Sequence, residues 1–225
     1  MENLHFRITS ECPLLQHDDK TANPFNSFTK ELKMISSKRK KTETDLLEMA
    51  RIEWEAGLYF DDKQGGYFMK AECFEGALYE AAKAKKLGKI FKESMRIHTN
   101  PVFHFEHEKL SPGELFKLDA YKDFRTVKIQ RAKILRCRPI FNDWSCEVEI
   151  CYEETRLNAH EIREVIEYAG RYIGICDYRP KYGRFKVELI DTSEKDTESK
   201  STKMVKKIKA AVGKKTGAAK TKKAS

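Results

Sequence analysis

Between Trp144 and Gly170 the hydrophobic period of the chain changes from two to 3.6, and this switch constrains the fold more than any other stretch. Trp144, Cys146, Val148, Ile150 and Tyr152 alternate with Ser145, Glu147, Glu149 and Cys151, which is the pattern of a strand with one buried face. Asn158 followed by Glu161 reads as a capping box, and Ile162, Val165, Ile166 and Ala169 then share one helical face that ends at Gly170. Leu4, Phe6 and Ile8 alternate in the same way with His5, Arg7 and Thr9, and Arg184–Ile190 reads as a last strand. Strands with one apolar face and helices with one apolar stripe must pack against each other, which specifies an α+β domain.

The remaining elements follow from punctuation. Asn23-Pro24 is a helix-start signal ahead of Phe25, Phe28, Leu32 and Ile35, and a second helix is expected from Thr44 to Ala56, ending at Gly57, after the basic connector Lys38-Arg39-Lys40-Lys41. Between Leu58 and Met69 two aromatic runs flank DDKQGG, a hairpin composition. From Ala71 to Leu87, the residues Cys73, Phe74, Ala77, Leu78, Ala81 and Ala82 form a core stripe. Phe124–Arg138 is rich in β-formers and Pro139–Asp143 supplies a turn, so this run is expected to pair with Trp144–Tyr152 as a hairpin, setting Arg136 opposite Glu147 and Arg138 opposite Ser145. With residues of about 12–69 set aside as a helical and hairpin insertion after the first strand, the order is βαββαβ. That order is ferredoxin-like, and RRM-like domains share it. The expected organisation is one domain over residues 1–191 and a disordered, lysine-rich tail over 192–225.

Charge divides the chain within that tail. The net charge of +9 lies entirely in Ser201–Ser225, which holds nine lysines and no acid and leaves 35 of the 44 lysines and arginines to face 35 acids in the body. A basic tail supplies salt-dependent, sequence-independent affinity for nucleic acid, whereas a neutral body can bind only through a local patch. The start MENLHFRITSECP lacks a signal-peptide pattern and no apolar run approaches the ~20 residues of a membrane span, so a cytoplasmic protein without a membrane partner is expected. Six scattered cysteines without a C-x-x-C pair read as reduced, buried apolar residues.

The candidate site is the segment AGRYIGICDYRPKYGRFKV, Ala169–Val187. Glycine lets backbone approach a phosphate, arginine bonds it, and tyrosine offers a stacking face to an unpaired base. The residues expected to bind are Arg171, Tyr172, Gly174, Tyr178, Arg179, Lys181, Tyr182, Gly183 and Arg184, joined by Lys38, Arg39, Lys40 and Lys41. The polar sheet face would present His5, Arg7, Thr9, Ser145, Glu147 and Glu149, with no aromatic for RRM-type stacking, so contact is expected through loops and helix ends. His104-Phe105-Glu106-His107 is the one dense titratable cluster. On a strand its histidines face opposite sides, which excludes a shared metal, and Asp177 is a single carboxylate. No P-loop, G-x-S-x-G or H-E-x-x-H occurs. No catalytic residue, metal or cofactor is assigned.

The segments ITSECPLLQH, ECFEGALYEAAKAKK and GICDYRPKYGRFKV together resemble a family of uncharacterised bacteriophage proteins. In outline that family is similar to the RAMP superfamily, the RRM-fold backbone and processing subunits of CRISPR effector complexes, and the resemblance covers Leu4 to Ile190. It implies an RNA-contacting glycine loop at Gly174–Gly183 and a protein acting in the host cytoplasm. The function expected is non-enzymatic binding of single-stranded DNA or RNA. The alternatives are a metal-independent ribonuclease with His104 as general base, and a phage structural, assembly or host-defence-countering protein whose partner is a second copy or a nucleoprotein.

Overall fold

The computed structural model describes residues 1–64, 66–129 and 132–190. The expected tail at 192–225 lies outside the described residues. The chain divides into a compact unit, Met1–Glu188, and a second, Leu189–Ser225, of which residues 189 and 190 are described. In chain order the elements are β1 (Glu2–Ser10), β2 (Leu14–Leu15), α1 (Ser27–Ser36), α2 (Glu43–Gly57), β3 (Phe60–Asp61), β4 (Gly66–Tyr67), α3 (Ala71–Ala84) and α4 (Gly88–Ser94). They continue with β5 (Met95–Arg96), β6 (Phe103–His104), α5 (Pro112–Leu115), β7 (Lys122–Ile129), β8 (Ala132–Phe141), β9 (Ser145–Tyr152), α6 (Ala159–Tyr168) and β10 (Phe185–Ile190). The fold is mixed α+β with antiparallel strand pairing.

The larger sheet runs β10-β1-β9-β5, with β6 also paired to β9. β1 and β9 are antiparallel with Phe6 opposite Val148 and Ile8 opposite Cys146, and all four side chains are buried. They share one core with Phe74, Ala77, Leu78, Ala81 and Ala82 of α3 and with Ile162, Val165 and Ile166 of α6, so the period switch does place both helices on the buried face. The capping box of α6 is present: Asn158 accepts from the Glu161 amide and Glu161 accepts from the Asn158 amide.

Two local expectations shift. α1 begins at Ser27 because Asn26, not Asn23, caps it. The Asn23 side chain instead accepts from the Phe25 amide at 2.9 Å in a turn that leaves Phe25 exposed. α3 stops at Ala84 rather than Leu87. Lys86 takes φ 63°, the Leu87 amide returns to the Ala82 carbonyl at 2.8 Å and the Lys86 amide to Lys83 at 3.0 Å, a Schellman end made without glycine.

The larger correction concerns the expected hairpin between Phe124–Arg138 and Trp144–Tyr152. β8 does not pair with β9. It pairs with β7, Phe124 opposite Cys137 and Arg125 opposite Arg136, and on its other edge with β2, Leu14 opposite Phe141. β2-β8-β7 is thus a separate sheet, and the residues after Phe141 carry the chain from one sheet to the other. Alternation shows which face of a strand is buried, not which edge is taken, and two leucines after β1 are enough to claim β8. The expected opposition of Arg136 and Glu147 is absent: Arg136 pairs with Glu53 of α2, and Glu147 with Arg7 at 3.1 Å. α2 lies on this second sheet, where the Trp54 indole donates to the Tyr121 carbonyl at 2.7 Å. Phe141 joins the two layers, with its ring 4.9 Å from that of Phe103 and 4.8 Å from that of Phe105.

Candidate nucleic-acid interface

α6 runs into a π-helical turn, Ala169–Ile173, closed by the Gly174 amide on the Ala169 carbonyl at 2.8 Å. Four residues of the following loop take positive φ: Gly174 (73°), Cys176 (62°), Tyr178 (57°) and Gly183 (73°). Such a path costs strain at the two non-glycine positions and persists because the backbone is fastened on several sides. Ile175 donates to Gly183 at 2.9 Å, Asp177 to Leu15 at 3.1 Å, Gly183 to Pro13 at 2.8 Å and Glu11 to Arg184 at 3.0 Å. A Cβ on Gly183 would lie 2.0 Å from the Ile175 carbonyl oxygen, and one on Gly174 would lie 2.8 Å from that of Tyr182. The glycines expected to admit a phosphate are therefore buried and spent on closing the loop upon itself.

The arginines and tyrosines are arranged differently. The Arg125 guanidinium lies 4.4 Å from the Tyr178 ring centre and 4.8 Å from that of Tyr182, and donates to the Tyr182 hydroxyl at 2.9 Å. Arg138 lies 5.1 Å from the Tyr178 ring and pairs with Asp177. Arg125 is balanced by Asp123 at 2.8 Å, and Arg179 reaches Glu80 at 3.4 Å. The exposed groups of the expected set are Arg171, Arg179, Lys181, Tyr172 (56 %) and Tyr178 (37 %), with the Tyr172 ring 4.8 Å from that of Tyr168. Arg184 is half-buried, its amide donating to Cys12 Sγ at 3.2 Å.

Arg125 and Arg138 were not among the expected binding residues. Register places Asp123, Arg125, Arg136 and Arg138 on one face of the β7–β8 hairpin, so their spacing held the signal, hidden by the wrong pairing partner. The same face borders a groove of about 610 Å³ lined by His17, Lys33 of α1, Glu53 of α2, Val127, Arg136 and Arg138. Burial and the cations of Arg138 and Arg136 push the His17 imidazole below its ordinary value, against the opposing pull of Asp177 and Asp18. Arg138 belongs to both the groove and the loop.

Lys38–Lys41 stand elsewhere, in the α1–α2 connection. Lys38 pairs with Asp45 at 2.6 Å, Lys41 donates to the Lys38 carbonyl, and Arg39 and Lys40 are exposed. The side-chain hydrogen bonds and ion pairs of this segment among the described residues are made within residues 38–45, not to the loop. The outer sheet face is occupied by cross-strand pairs, Arg7 with Glu147 at 3.1 Å and His5 with Glu149 at 3.6 Å. His104 meets Glu108 at 2.9 Å and His107 meets the Tyr121 hydroxyl at 2.8 Å, so the two histidines serve different partners. Among the described residues no cluster of three His, Cys, Asp or Glu side chains forms a metal site, and no helix is long and apolar enough to cross a membrane.

No protein-family model matches the chain, and no curated protein sequence matches it.

Proposed function

We propose that the chain is a non-enzymatic binder of single-stranded nucleic acid, acting through the exposed rim of the Gly170–Lys186 loop. The observation that carries this is the exposed Tyr172 ring, beside a part-exposed Tyr178 whose ring lies against the Arg125 and Arg138 guanidiniums, on a loop of fixed backbone path that also exposes Arg171, Arg179 and Lys181. A ring already held in place loses little freedom when a base stacks on it, and lysine or arginine nearby neutralises phosphate. The outer face of β1 and β9 carries ion pairs and no aromatic ring, which favours loops over RRM-type stacking. The basic tail would add affinity without specificity.

Read in chain order, β1, α3, β5, β9, α6 and β10 form a βαββαβ series within the larger sheet, which supports a ferredoxin-like reading with the two-residue β5 as its second strand. The β7–β8 hairpin is then a second insertion. Kinship with RAMP-like phage proteins and action in a host cytoplasm are part of the same proposal.

Gel shifts with single-stranded and duplex DNA and RNA test it, using the full chain and a version ending at Asp191 at two salt concentrations. Both are expected to retard single strands at low salt, the shorter more weakly. If neither binds any nucleic acid, the proposal is lost. Binding by the full chain alone moves the site to the tail, and RNA shortened in the same lanes without metal favours the ribonuclease.

A further inference from the structure

The six cysteines are not chemically alike. Cys137, Cys146 and Cys151 are buried, and burial pushes the Cys137 thiol up to about 12 and that of Cys146 higher still, as suits inert core residues. Cys73 and Cys176 are only half-buried and lie together. Cys73 stands on α3, and Cys176 stands in the glycine loop at one of the strained positions, φ 62°. Each thiol is close enough to shift the titration of the other, and the Tyr59 hydroxyl lies 3.7 Å from Cys73 Sγ. Both line one small cavity of about 220 Å³, bordered by His17, Tyr59, Asp177 and Arg179.

The surroundings divide the pair into unequal partners. The hydrogen bond from Cys176, then that from Tyr59, with the Lys70 cation nearby, outweigh burial and hold the Cys73 thiol at about 7. Burial pushes the Cys176 thiol well above its ordinary range. A thiol that titrates near neutrality is both ionised and still nucleophilic, the best compromise for attack on a disulfide.

We propose that Cys73 and Cys176 form a reversible dithiol–disulfide site for low-molecular-weight disulfides of the glutathione class, with Cys73 attacking and Cys176 resolving. The Cys73 thiolate attacks one sulfur of RS–SR, the S–S bond breaks, and RS⁻ leaves with the electron pair and takes a proton from water. Cys176 then loses its proton and attacks Cys73 Sγ, expelling the second RS⁻, which is protonated in turn. Two cysteine thiols are oxidised by two electrons and RS–SR is reduced to two RSH. The product ties α3 to the loop beside Asp177 and Tyr178.

The test is intact-mass and peptide mapping of the reduced full-length protein after exposure to oxidised glutathione at neutral pH, without denaturant. The expected product has lost two hydrogens, carries a Cys73–Cys176 cross-linked peptide and reverts with dithiothreitol. Cys176→Ser is expected to hold one glutathione on Cys73, and Cys73→Ser to show neither product. In the reduced wild type, Cys73 is expected to alkylate roughly tenfold faster at neutral pH than the other cysteines. Six free thiols after the treatment, glutathione retained on Cys73 of the wild type, or a cross-link between another pair overturns the proposal. The wild-type map decides the matter even if a variant fails to fold.

Discussion

Arg138 on β8 and Asp177 in the glycine loop form an ion pair that fastens the loop to the second sheet. The arginine side chain is 13 % exposed and the aspartate 30 %, and Asp177 also accepts from the Tyr178 amide at 3.0 Å. Removing the carboxylate leaves a cation with little water to replace it. Asp177→Ala is expected to cost about 2–3 kcal/mol, a fall in Tm of roughly 4–12 °C by thermal denaturation. A fall below one degree would mean that the pair contributes no more than an exposed one.

Gly183 and Gly76 should respond in opposite directions to alanine. At Gly183 the new Cβ meets the Ile175 carbonyl, a backbone atom with nowhere to go, at a φ of 73°. Left-handed backbone alone costs alanine about 1–2 kcal/mol, so Gly183→Ala is expected to lose more than that. Gly76 stands within α3 with nothing within 4 Å of a Cβ, and Gly76→Ala is expected to gain about 0.5–1 kcal/mol. Urea denaturation of both variants checks the pair of signs.

Phe141 is fully buried where the aromatic rings of both layers meet. Phe141→Ala is expected to cost about 3–5 kcal/mol by the same measurement, with Phe141→Leu recovering most of it. A loss under 1 kcal/mol would show that the two layers are not joined through this ring.

Tyr172 carries the binding proposal most directly. Its ring is more than half exposed, with Tyr168 and the Arg171 guanidinium beside it, so Tyr172→Ala is expected to leave Tm nearly unchanged while weakening single-strand affinity by about 1–3 kcal/mol, roughly 5- to 150-fold. Unchanged affinity in a titration by fluorescence anisotropy removes the ring from the site.

The start of α2 has its own pH signature. Asp45 accepts from Lys38 and from the Thr42 amide, and these bonds hold its carboxyl at about 2 against an ordinary 3.8. A depressed value stabilises the fold above the ordinary one, and the contribution is lost as pH falls through the folded value. Wild type is therefore expected to exceed Asp45→Asn in denaturation midpoint at pH 6, with the gap closing between about pH 4 and 2. A gap independent of pH would assign the effect to hydrogen bonding of the neutral side chain.

The sequence is legible where a single element decides the outcome. β1, β9, α6 and the stripe of α3 follow from period and capping, because each records its own buried face. What fails is partnership. Phe124–Arg138 has the right composition for a strand, but nothing in it says that it folds back on itself as β7 and β8, with Leu14–Leu15 on the other edge of β8. The error carries into the site, since Arg125 and Arg138 join the tyrosines only once that hairpin is placed. The glycines mislead for a related reason: Gly174 and Gly183 do admit a close approach of backbone, yet the atoms they admit are those of their own loop. Cys73 and Cys176 stand far apart in the chain, and no local pattern records that they meet.

The β7–β8 ribbon and the β1–β9 ladder also differ in how far apart along the chain their strands begin. In the β1–β9 ladder Arg7 meets Glu147 across 140 positions, whereas β7 and β8 are nearest neighbours. The entropy of closing so long a loop must be overcome before any of its contacts form, while a hairpin zips within about 1–10 μs. The arginine-bearing ribbon is therefore expected to form before the central sheet, with the slow phase of refolding tracking the meeting of β1 with β9.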